Sequence, residues 1–364
     1  MTITWEIRPG SALEAAAQEW DTLCADIGAM PFLETRFLLP LLKHFGSGKE
    51  QLCLARDKGV LIAAALLAPT AWARWETFQP SQLPLGPWIQ QQSVSLETLL
   101  GGLIQRLPGF ALTLGATQLD PIFTPQPEDS RQLNSIPYID TAWVDIAEPF
   151  DAYWSRRGKN LRTNVRKQRT KLEEDGTVLT LDILTDRGSV EAAIREYGRL
   201  EATGWKAEAG TAVTLGTPQG DFYRDMLEAF CEQGRGEIWR YRFGDAVVAM
   251  DLSIRSPDTL VVLKTAFDAA QKAVSPATLL HHDAFRSVFE RGTIRRIEFY
   301  GRVMEWHTRW TESQRTLYHT TRWRWSALVH AKQLLAGISR SRQTTTSTSV
   351  PNHEVPLSTN ADAR

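Results

Sequence analysis

Alternating apolar and polar residues between positions 237 and 301 predict the most regular part of the chain. Residues 237–243 alternate in this way, which is typical of a strand with one wetter face. Two apolar runs, 246–254 and 260–267, predict two more strands, and turn residues separate all three. A sheet therefore forms the centre of this region.

A helix is expected to follow the third of these strands. Ser275 and Pro276 suit an N-cap and a first helical position, and Gly292 suits a C-terminal stop. The apolar side chains between them recur at helical spacing: Leu279, Leu280, Phe285, Val288 and Phe289. Residues 294–300 then predict a fourth strand, which gives the order strand, strand, strand, helix, strand.

The first part of the chain follows a similar order without repeating the sequence. Helices are predicted at 11–28, 33–45 and 96–107, and strands at 51–55, 60–67, 111–115 and 143–146. This order indicates an α/β chain with a mixed sheet. We predict two domains, residues 1–148 and 149–338. Residues 341–364 are rich in Ser, Thr, Asn and Pro, which predicts a disordered C-terminal tail.

Composition sets the broad class of the protein. The chain has 364 residues and is 43% hydrophobic, which is enough for a large core and more than one domain. Its three cysteines are few and far apart, so they predict neither a disulfide framework nor a metal site. The N-terminus does not resemble a signal peptide and no apolar run is long enough to span a bilayer. We therefore expect a cytoplasmic protein without membrane insertion.

Charge is distributed unevenly, although the net charge is only −1. Residues 1–150 hold 9 basic and 16 acidic side chains, and the remainder holds 32 and 26. Eight basic residues lie within positions 156–171, where helical spacing places Arg162, Arg166 and Arg169 on one stripe. This stripe is either a solvated helix face or a wall that binds an anionic substrate.

Several common catalytic motifs are missing from the sequence. There is no Gly-x-Ser-x-Gly elbow, no Walker phosphate loop and no Cys/His pattern with zinc spacing. Hydrolase, NTPase and metalloenzyme functions therefore have no support, and neither a metal nor a DNA partner is expected.

Five segments together resemble the acyl-CoA-binding part of the GNAT acetyltransferases. They are residues 150–154 with 160–169, 204–206, 222–223, 264–268 and 275–280. Their order is most similar to the CelD-like branch, which is linked to cellulose and other polysaccharide synthesis. The order of elements in the two parts of the chain also resembles Fem-type transferases. The resemblance implies tandem GNAT-like acyltransferase domains, with acetyl-CoA or another acyl-CoA as cosubstrate.

The resemblance also implies where the cosubstrate binds. Backbone amides of the third strand would hold the pantetheine arm, at Val262, Leu263, Lys264 and Thr265. The following turn and helix start would hold the pyrophosphate, through Lys272, Ser275, Ala277 and Thr278. An ordinary strand-to-helix loop with a capped helix is the alternative interpretation.

Candidates for the reaction itself come from two sources. Asp251 lies inside an apolar strand, where a carboxylate tends to be buried and suited to act as a base. Asp268 and Lys206 belong to the matching segments and are the other catalytic candidates. The candidates for binding the acceptor are Arg162, Arg166, Arg169, Trp205 and His307. For Asp251, Trp205 and His307 a purely structural role is the alternative.

Three functions remain open. The first is an acyl-CoA-dependent N- or O-acyltransferase that modifies a small-molecule or glycan acceptor, sugar-containing or amine, in cell-surface polysaccharide metabolism. The second uses aminoacyl-tRNA instead, as in Fem-type enzymes, because the phosphate turn lacks the usual spaced glycines and the basic helix could follow a phosphate backbone. The third is a catalytically idle GNAT-like module that binds the polysaccharide-synthesis machinery. We expect the first.

Overall fold

Helices and strands alternate along most of the chain. The computed structural model describes residues 2–202 and 213–328. Its strands are β1 (Ile3–Pro9), β2 (Gln51–Asp57), β3 (Val60–Ala71), β4 (Arg74–Thr77), β5 (Trp88–Gln90), β6 (Thr113–Leu119), β7 (Leu133–Asp145), β8 (Leu179–Leu184), β9 (Gly236–Phe243), β10 (Ala246–Arg255), β11 (Thr259–Phe267), β12 (Arg296–Glu298) and β13 (Gln314–Trp323). Its α-helices are α1 (Ala17–Asp26), α2 (Thr35–Phe45), α3 (Leu96–Leu103), α4 (Phe150–Ser155), α5 (Lys159–Glu174), α6 (Val190–Ala202), α7 (Pro218–Cys231), α8 (Pro276–Arg291) and α9 (Glu305–Trp310).

Local sequence explains the elements that later form the site. β10 and β11 are rich in β-branched and other apolar residues, which pack well on a pleated surface. α8 begins at Pro276, whose fixed φ and missing N–H suit a first helical residue. It ends before Gly292, whose φ of 68° lies in the left-handed region that glycine adopts without strain.

The strands form one mixed sheet. Their order across the described part of the sheet is β1-β2-β3-β4-β6-β13-β7-β12-β11-β10-β9-β8, with β5 paired to β3 outside this path. The mixed α/β class expected from the order of elements is confirmed.

The two halves of this sheet repeat one topology. In the first half β1, β2, β3 and β4 are antiparallel neighbours, and β6 pairs parallel to β4 after the crossover through α3. In the second half β8, β9, β10 and β11 are antiparallel neighbours, and β12 pairs parallel to β11 after α8. The tandem architecture is therefore present, although the two sequences share no visible repeat.

The halves also exchange strands. β13, from the end of the described chain, lies between β6 and β7, whereas the end of β7 pairs with β12 at residues 143–145. Each half thus contributes a strand to the other. The boundary at residues 148 and 149 stays a prediction.

Three clusters of buried side chains hold the layers together. α8 packs on one face of the second half, where Leu279, Leu280 and Phe285 are fully buried. α6 and α7 contribute to a different cluster, which α1 and α2 of the first half also join. Truncating a fully buried aromatic side chain such as Phe285 to Ala costs about 3–5 kcal/mol. The position of α8 is therefore strongly fixed.

A buried ion network also joins the halves. Arg315 on β13 donates to Asp120 Oδ2 at 2.7 Å and to Glu298 Oε2 at 3.0 Å, and the Tyr300 hydroxyl donates to Asp120 at 2.8 Å. Burial raises the pKa of Glu298 to about 7, against the opposite effect of Arg315. Removing one partner would leave a buried charge unpaired, so the network favours a single arrangement of the halves.

The structure corrects several local expectations. The segment expected to be a loop after the third strand contains a 3-10 helix, Ala269–Val274. The short strand expected at 143–146 is the end of the much longer β7. Ser275 precedes α8 as expected, but its side chain does not cap the helix and its φ is 52°. The predicted tail, 341–364, lies outside the described residues.

None of the helices within residues 2–202 and 213–328 combines the length and the apolar character needed to cross a bilayer.

Candidate functional site

The candidate site lies where β11 and β12 separate. Their parallel pairing covers only Thr259 to Val261 opposite Arg296 to Glu298. β11 then continues to Phe267, while the chain after β12 turns away. The gap opens into a cavity of about 680 Å³ between β11, the start of α8 and α9.

The structure brings the predicted cosubstrate residues together around this cavity. Its wall includes Val262, Leu263, Lys264, Thr265, Lys272, Ser275, Ala277 and Thr278, and also His307 from the predicted acceptor set. The rest of the wall combines apolar side chains, among them Phe299, Met304, Trp306 and Trp310, with the cations Arg302 and Arg309. Apolar walls with placed polar groups are typical of ligand sites.

The edge of β11 provides backbone groups on one side of the cavity. Among the described strands, residues 262–267 pair with β10 alone, because the pairing with β12 stops at Val261. Every second backbone N–H and C=O of such an edge points away from the sheet and needs a partner. An extended molecule with amide groups can therefore bind here in the way that a further strand would.

The start of α8 provides a second feature. Pro276 has no N–H, and the amides of Thr278 and Leu279 both donate to the Ser275 carbonyl oxygen, at 3.0 and 3.2 Å. Residues 275–278 line the cavity, so the positive N-terminal end of the helix faces it, and no side chain of the described residues caps that end. Lys272 lies on the same rim, and together they favour an anionic group.

Asp251 is completely buried and does not line the cavity. It lies on β10 opposite Thr265, and its Oδ2 lies 3.0 Å from Nε2 of His281 on α8. The orientation of the two groups falls outside that of a hydrogen bond, and both Asp251 oxygens lack a hydrogen-bond partner. His281, in contrast, does line the cavity.

His307 lies in the same wall. Its Nδ1 accepts a hydrogen bond from the Met304 N–H at 2.9 Å, and its ring stacks on Trp306. Burial lowers the pKa of His307 to about 4, partly opposed by the Met304 contact. The ring is therefore neutral near pH 7.

Among the other candidates, Asp268 does not line the cavity, whereas Lys264 does. The Asp268 carboxylate accepts from the Ala270 N–H at 2.9 Å and so caps the 3-10 helix. The Lys264 ammonium lies 3.3 Å from the buried Glu201 carboxylate. Trp205 and Lys206 lie outside the described residues.

The basic stripe on α5 lines a second, smaller cavity. Arg162, Arg166 and Arg169 surround this space of about 300 Å³ together with Trp154 and His282. Arg169 forms an ion pair with Asp283 of α8. Arg162 and Arg166 are exposed and form no ion pair within the part of the chain that the structure describes.

The two cavities are close neighbours. Leu161 lines the first, and Arg162, the next residue, lines the second. Asn164 Nδ2 donates to Ser275 Oγ at 3.4 Å, which ties α5 to the start of α8. A ligand at the start of α8 would therefore lie beside the basic helix.

Sequence reasoning missed His281 and the contribution of Trp306 to the wall. His281 follows Ala277 by four residues in α8, so helical spacing alone places it on the same face as the predicted phosphate turn. That signal was present in the sequence. Trp306 and Trp310 both lie beside the His281 ring because α9 folds back over α8, and no local pattern shows that contact.

Known proteins resemble this chain mainly in structure. Residues 159–308 match the family model described as an acetyltransferase (GNAT) domain. No curated protein matches the chain by sequence. Within residues 2–202 and 213–328, no group of three or more His, Cys, Asp or Glu side chains is placed to hold a metal ion.

Three solved structures share the fold over most of both chains. The C-terminal domain (DUF2156) of an Agrobacterium fabrum protein named as a lysylphosphatidylglycerol synthetase has a TM-score of 0.56 at 11% identity, over 89% of this chain and 96% of that one. FemX has a TM-score of 0.54 at 10% identity, over 88% and 97%. A conserved protein of unknown function from Bacteroides thetaiotaomicron VPI-5482 has a TM-score of 0.53 at 11% identity, over 84% and 97%.

The family match covers β8 to β12 and the helices around them, which is the half that contains the main cavity. GNAT domains use acyl-CoA. Residues 159–308 are thus similar to a GNAT acetyltransferase domain, and the protein is an acyltransferase.

Proposed function

We propose that the protein transfers an acyl group from acyl-CoA to an amine or hydroxyl of a small-molecule or glycan acceptor. The observation that carries this proposal is the edge of β11 beyond Val261, where the pairing with β12 stops and the strand leads to the start of α8. Pantetheine contains two amides along an extended chain, and the pyrophosphate follows it. The site offers strand-like pairing for the first and a positive helix end for the second.

The chemistry is a direct transfer. The acceptor nitrogen or oxygen attacks the thioester carbonyl carbon, the new C–N or C–O bond forms, and the C–S bond breaks to release CoA thiolate. An amide of β11 that points into the cavity can stabilise the negative charge that develops on the carbonyl oxygen. The acceptor must lose one proton, which a base in the cavity wall has to accept.

The proposal names the acceptor by its chemical class. The resemblance to the CelD-like branch favours a sugar-containing or amine acceptor in cell-surface polysaccharide metabolism. Arg162 and Arg166 form no ion pair among the described residues, and their position beside the cavity favours an acceptor that carries a negative charge.

Acetyl-CoA binding tests the proposal directly. Isothermal titration calorimetry should show one site per chain, and acetyl-CoA should raise the melting temperature of the protein. Incubation with glucosamine or glucosamine 6-phosphate as probe acceptors should release free CoA thiol. A protein that neither binds nor consumes acetyl-CoA would contradict the proposal.

One observation favours a second candidate. The exposed cations of α5 form a surface that could hold a nucleic-acid backbone, as an aminoacyl-tRNA-dependent transferase of Fem type would require. In that case, binding of charged tRNA should weaken steeply as salt increases, and acetyl-CoA should not bind. Binding of neither ligand would instead favour the idle module.

A further inference from the structure

A group of buried polar atoms without partners lies directly behind the cavity wall. Both Asp251 oxygens, Ser253 Oγ and His281 Nε2 are buried and make no hydrogen bond in the described part of the chain. Asp251 and Ser253 are fully buried neighbours on one face of β10, the face that α8 covers. Buried polar groups are nearly always paired, so such a concentration requires an explanation.

Stability does not explain it. A buried carboxylate that accepts no hydrogen bond destabilises the fold relative to an uncharged side chain of the same size. Groups of this kind are retained where an active site needs them. Their position next to the proposed acyl-CoA site is consistent with that interpretation.

His281 connects the carboxylate to the cavity. Nε2 faces Asp251 at 3.0 Å, and the imidazole lines the cavity one helical turn from Ala277. Phe285 stacks on the ring at 5.4 Å between centroids and Trp306 at 5.3 Å, so its orientation is held. Asp251 itself does not reach the cavity.

We propose that His281 accepts the proton of the acceptor during acyl transfer, and that Asp251 is the positioning residue behind it. This inference rests on the proposed function. As the acceptor attacks the thioester carbon, its N–H or O–H proton moves to the free nitrogen of His281. The resulting imidazolium then lies against the Asp251 carboxylate, which compensates its charge, and it returns the proton to the CoA thiolate or to solvent.

His307 is the competing base in the same wall. Its Nδ1 is already engaged with the Met304 N–H, and no carboxylate lies beside it in the described residues to compensate a positive ring. His281 has such a carboxylate. The geometry therefore favours His281.

Two substitutions and their combination test the assignment. His281→Gln should lower kcat for thiol release from acetyl-CoA by about 100-fold or more, the usual range for a lost general base. Asp251→Asn should lower kcat by about 10-fold. The double variant should be no slower than His281→Gln alone, because the two residues act as one unit. The rates are measured with glucosamine and, for the slow background reaction, with water as acceptor.

Binding and stability measurements separate this role from a structural one. Acetyl-CoA affinity, measured by calorimetry, should stay within about threefold in all three variants. Asp251→Asn should not lower the melting temperature, since it removes an unpaired buried charge. Added imidazole should restore part of the activity of His281→Ala.

A second histidine–aspartate pair supplies the matched control. His44 Nε2 lies 2.8 Å from Asp225 Oδ2, between α2 and α7 and away from the cavity. His44→Gln and Asp225→Asn should leave kcat unchanged.

Three outcomes would overturn the inference. The first is an active wild type whose His281 and Asp251 variants keep kcat within about threefold. The second is loss of both acetyl-CoA binding and thermal stability in Asp251→Asn, and the third is additive losses in the double variant. A wild type that neither binds nor hydrolyses acetyl-CoA would instead remove the proposed function on which the inference depends.

Discussion

The two halves of the sheet share one topology but differ where the parallel strand joins. In the second half β11 is a continuous strand of 9 residues, and the space between it and β12 is open. In the first half the corresponding strand is divided. β4 and β5 pair in turn with β3, and residues 78–87 leave the sheet between them.

The loop formed by residues 78–87 fills the space between β4 and β6. The Gly86 N–H donates to the Thr117 carbonyl oxygen at 3.1 Å, and the Thr77 and Thr117 hydroxyls lie 2.5 Å apart. Leu83 and Leu85, from the same loop, are buried in the core. At this position one topology thus gives an open cavity in one half and packed side chains in the other, so the fold alone does not locate the chemistry.

The largest expected effect concerns the start of the helix in each half. Ala277→Glu places a negative charge at the start of α8 and should weaken acetyl-CoA binding by about 100-fold or more, because it repels the pyrophosphate. Ser95→Glu is the matched change at the exposed start of α3. It should leave the affinity unchanged. Calorimetry on both folded variants decides whether only the open half binds.

Stability should show the reverse pattern. A Cβ at Gly86 would lie 2.2 Å from the Thr117 carbonyl oxygen and 2.7 Å from the Thr77 hydroxyl, so Gly86→Ala should cost about 1–3 kcal/mol. Gly301 lines the open cavity, where the nearest atom to a Cβ would be 3.7 Å away. Gly301→Ala should change the free energy of unfolding by less than about 0.5 kcal/mol. If urea unfolding shows that Gly86→Ala and Gly301→Ala lower the free energy of unfolding equally, the first position is not closely packed and the second is not open.

Much of this architecture was predictable from sequence, because the signals are local. The alternation around 237–267 and the Pro276 and Gly292 helix signals predicted β9, β10, β11 and α8. Those elements carry the residues predicted for the cosubstrate, from Val262 to Thr278, so these side chains could be grouped around one cavity before the structure was known. Their binding role stays a prediction.

The features that the sequence does not reveal depend on long-range packing. Nothing near β13 shows that it inserts between β6 and β7, or that β7 pairs with both β13 and β12. Asp251 was predicted as a base, and that role stays a prediction; only the packing of α8 shows that His281 lies between Asp251 and the cavity. The pattern of one strand predicts which of its side chains are buried, but it does not predict which residue of another element each side chain contacts.

A smaller effect concerns the second cavity, which has no cofactor prediction of its own. Replacing both Arg162 and Arg166 with Glu should lower kcat/KM for glucosamine 6-phosphate about 10-fold relative to glucosamine, because the phosphate would lose two cations. The melting temperature should hardly change, since neither arginine has an ion-pair partner among the described residues. The preference of the wild type for the phosphorylated sugar should also fall with salt.

A control must distinguish the effect of the changed net charge from the effect of the location of Arg162 and Arg166. Lys167 and Lys171 lie on the same helix and are exposed, but they do not line the cavity. Replacing both with Glu changes the net charge equally and should leave the acceptor preference intact. If both pairs of changes act alike, the basic helix is a solvated face with a general electrostatic effect.

The smallest expected effect compares two histidines with the same contact. His307 Nδ1 accepts from the Met304 N–H, and His319 Nδ1, on β13, accepts from the Gln118 N–H at 3.0 Å. Burial lowers the pKa of His307 to about 4 and also lowers that of His319. An unfolded histidine titrates near 6.5, so below that pH the unfolded state binds more protons than the folded state. The contribution of the neutral ring to the free energy of unfolding is therefore fully present above pH 6.5, and it is lost as the pH falls towards 4.

Glutamine can accept the same N–H bond without titrating, so it isolates this contribution. Going from pH 7 to pH 5, the wild type should lose roughly 1 kcal/mol more unfolding free energy than His307→Gln, after allowance for partial exposure of the ring. His319→Gln should show a smaller difference of the same sign, because that ring is only half-buried. Urea unfolding at the two pH values measures both. A larger effect at His319 would show that the wall of the open cavity admits protons more easily than its burial indicates.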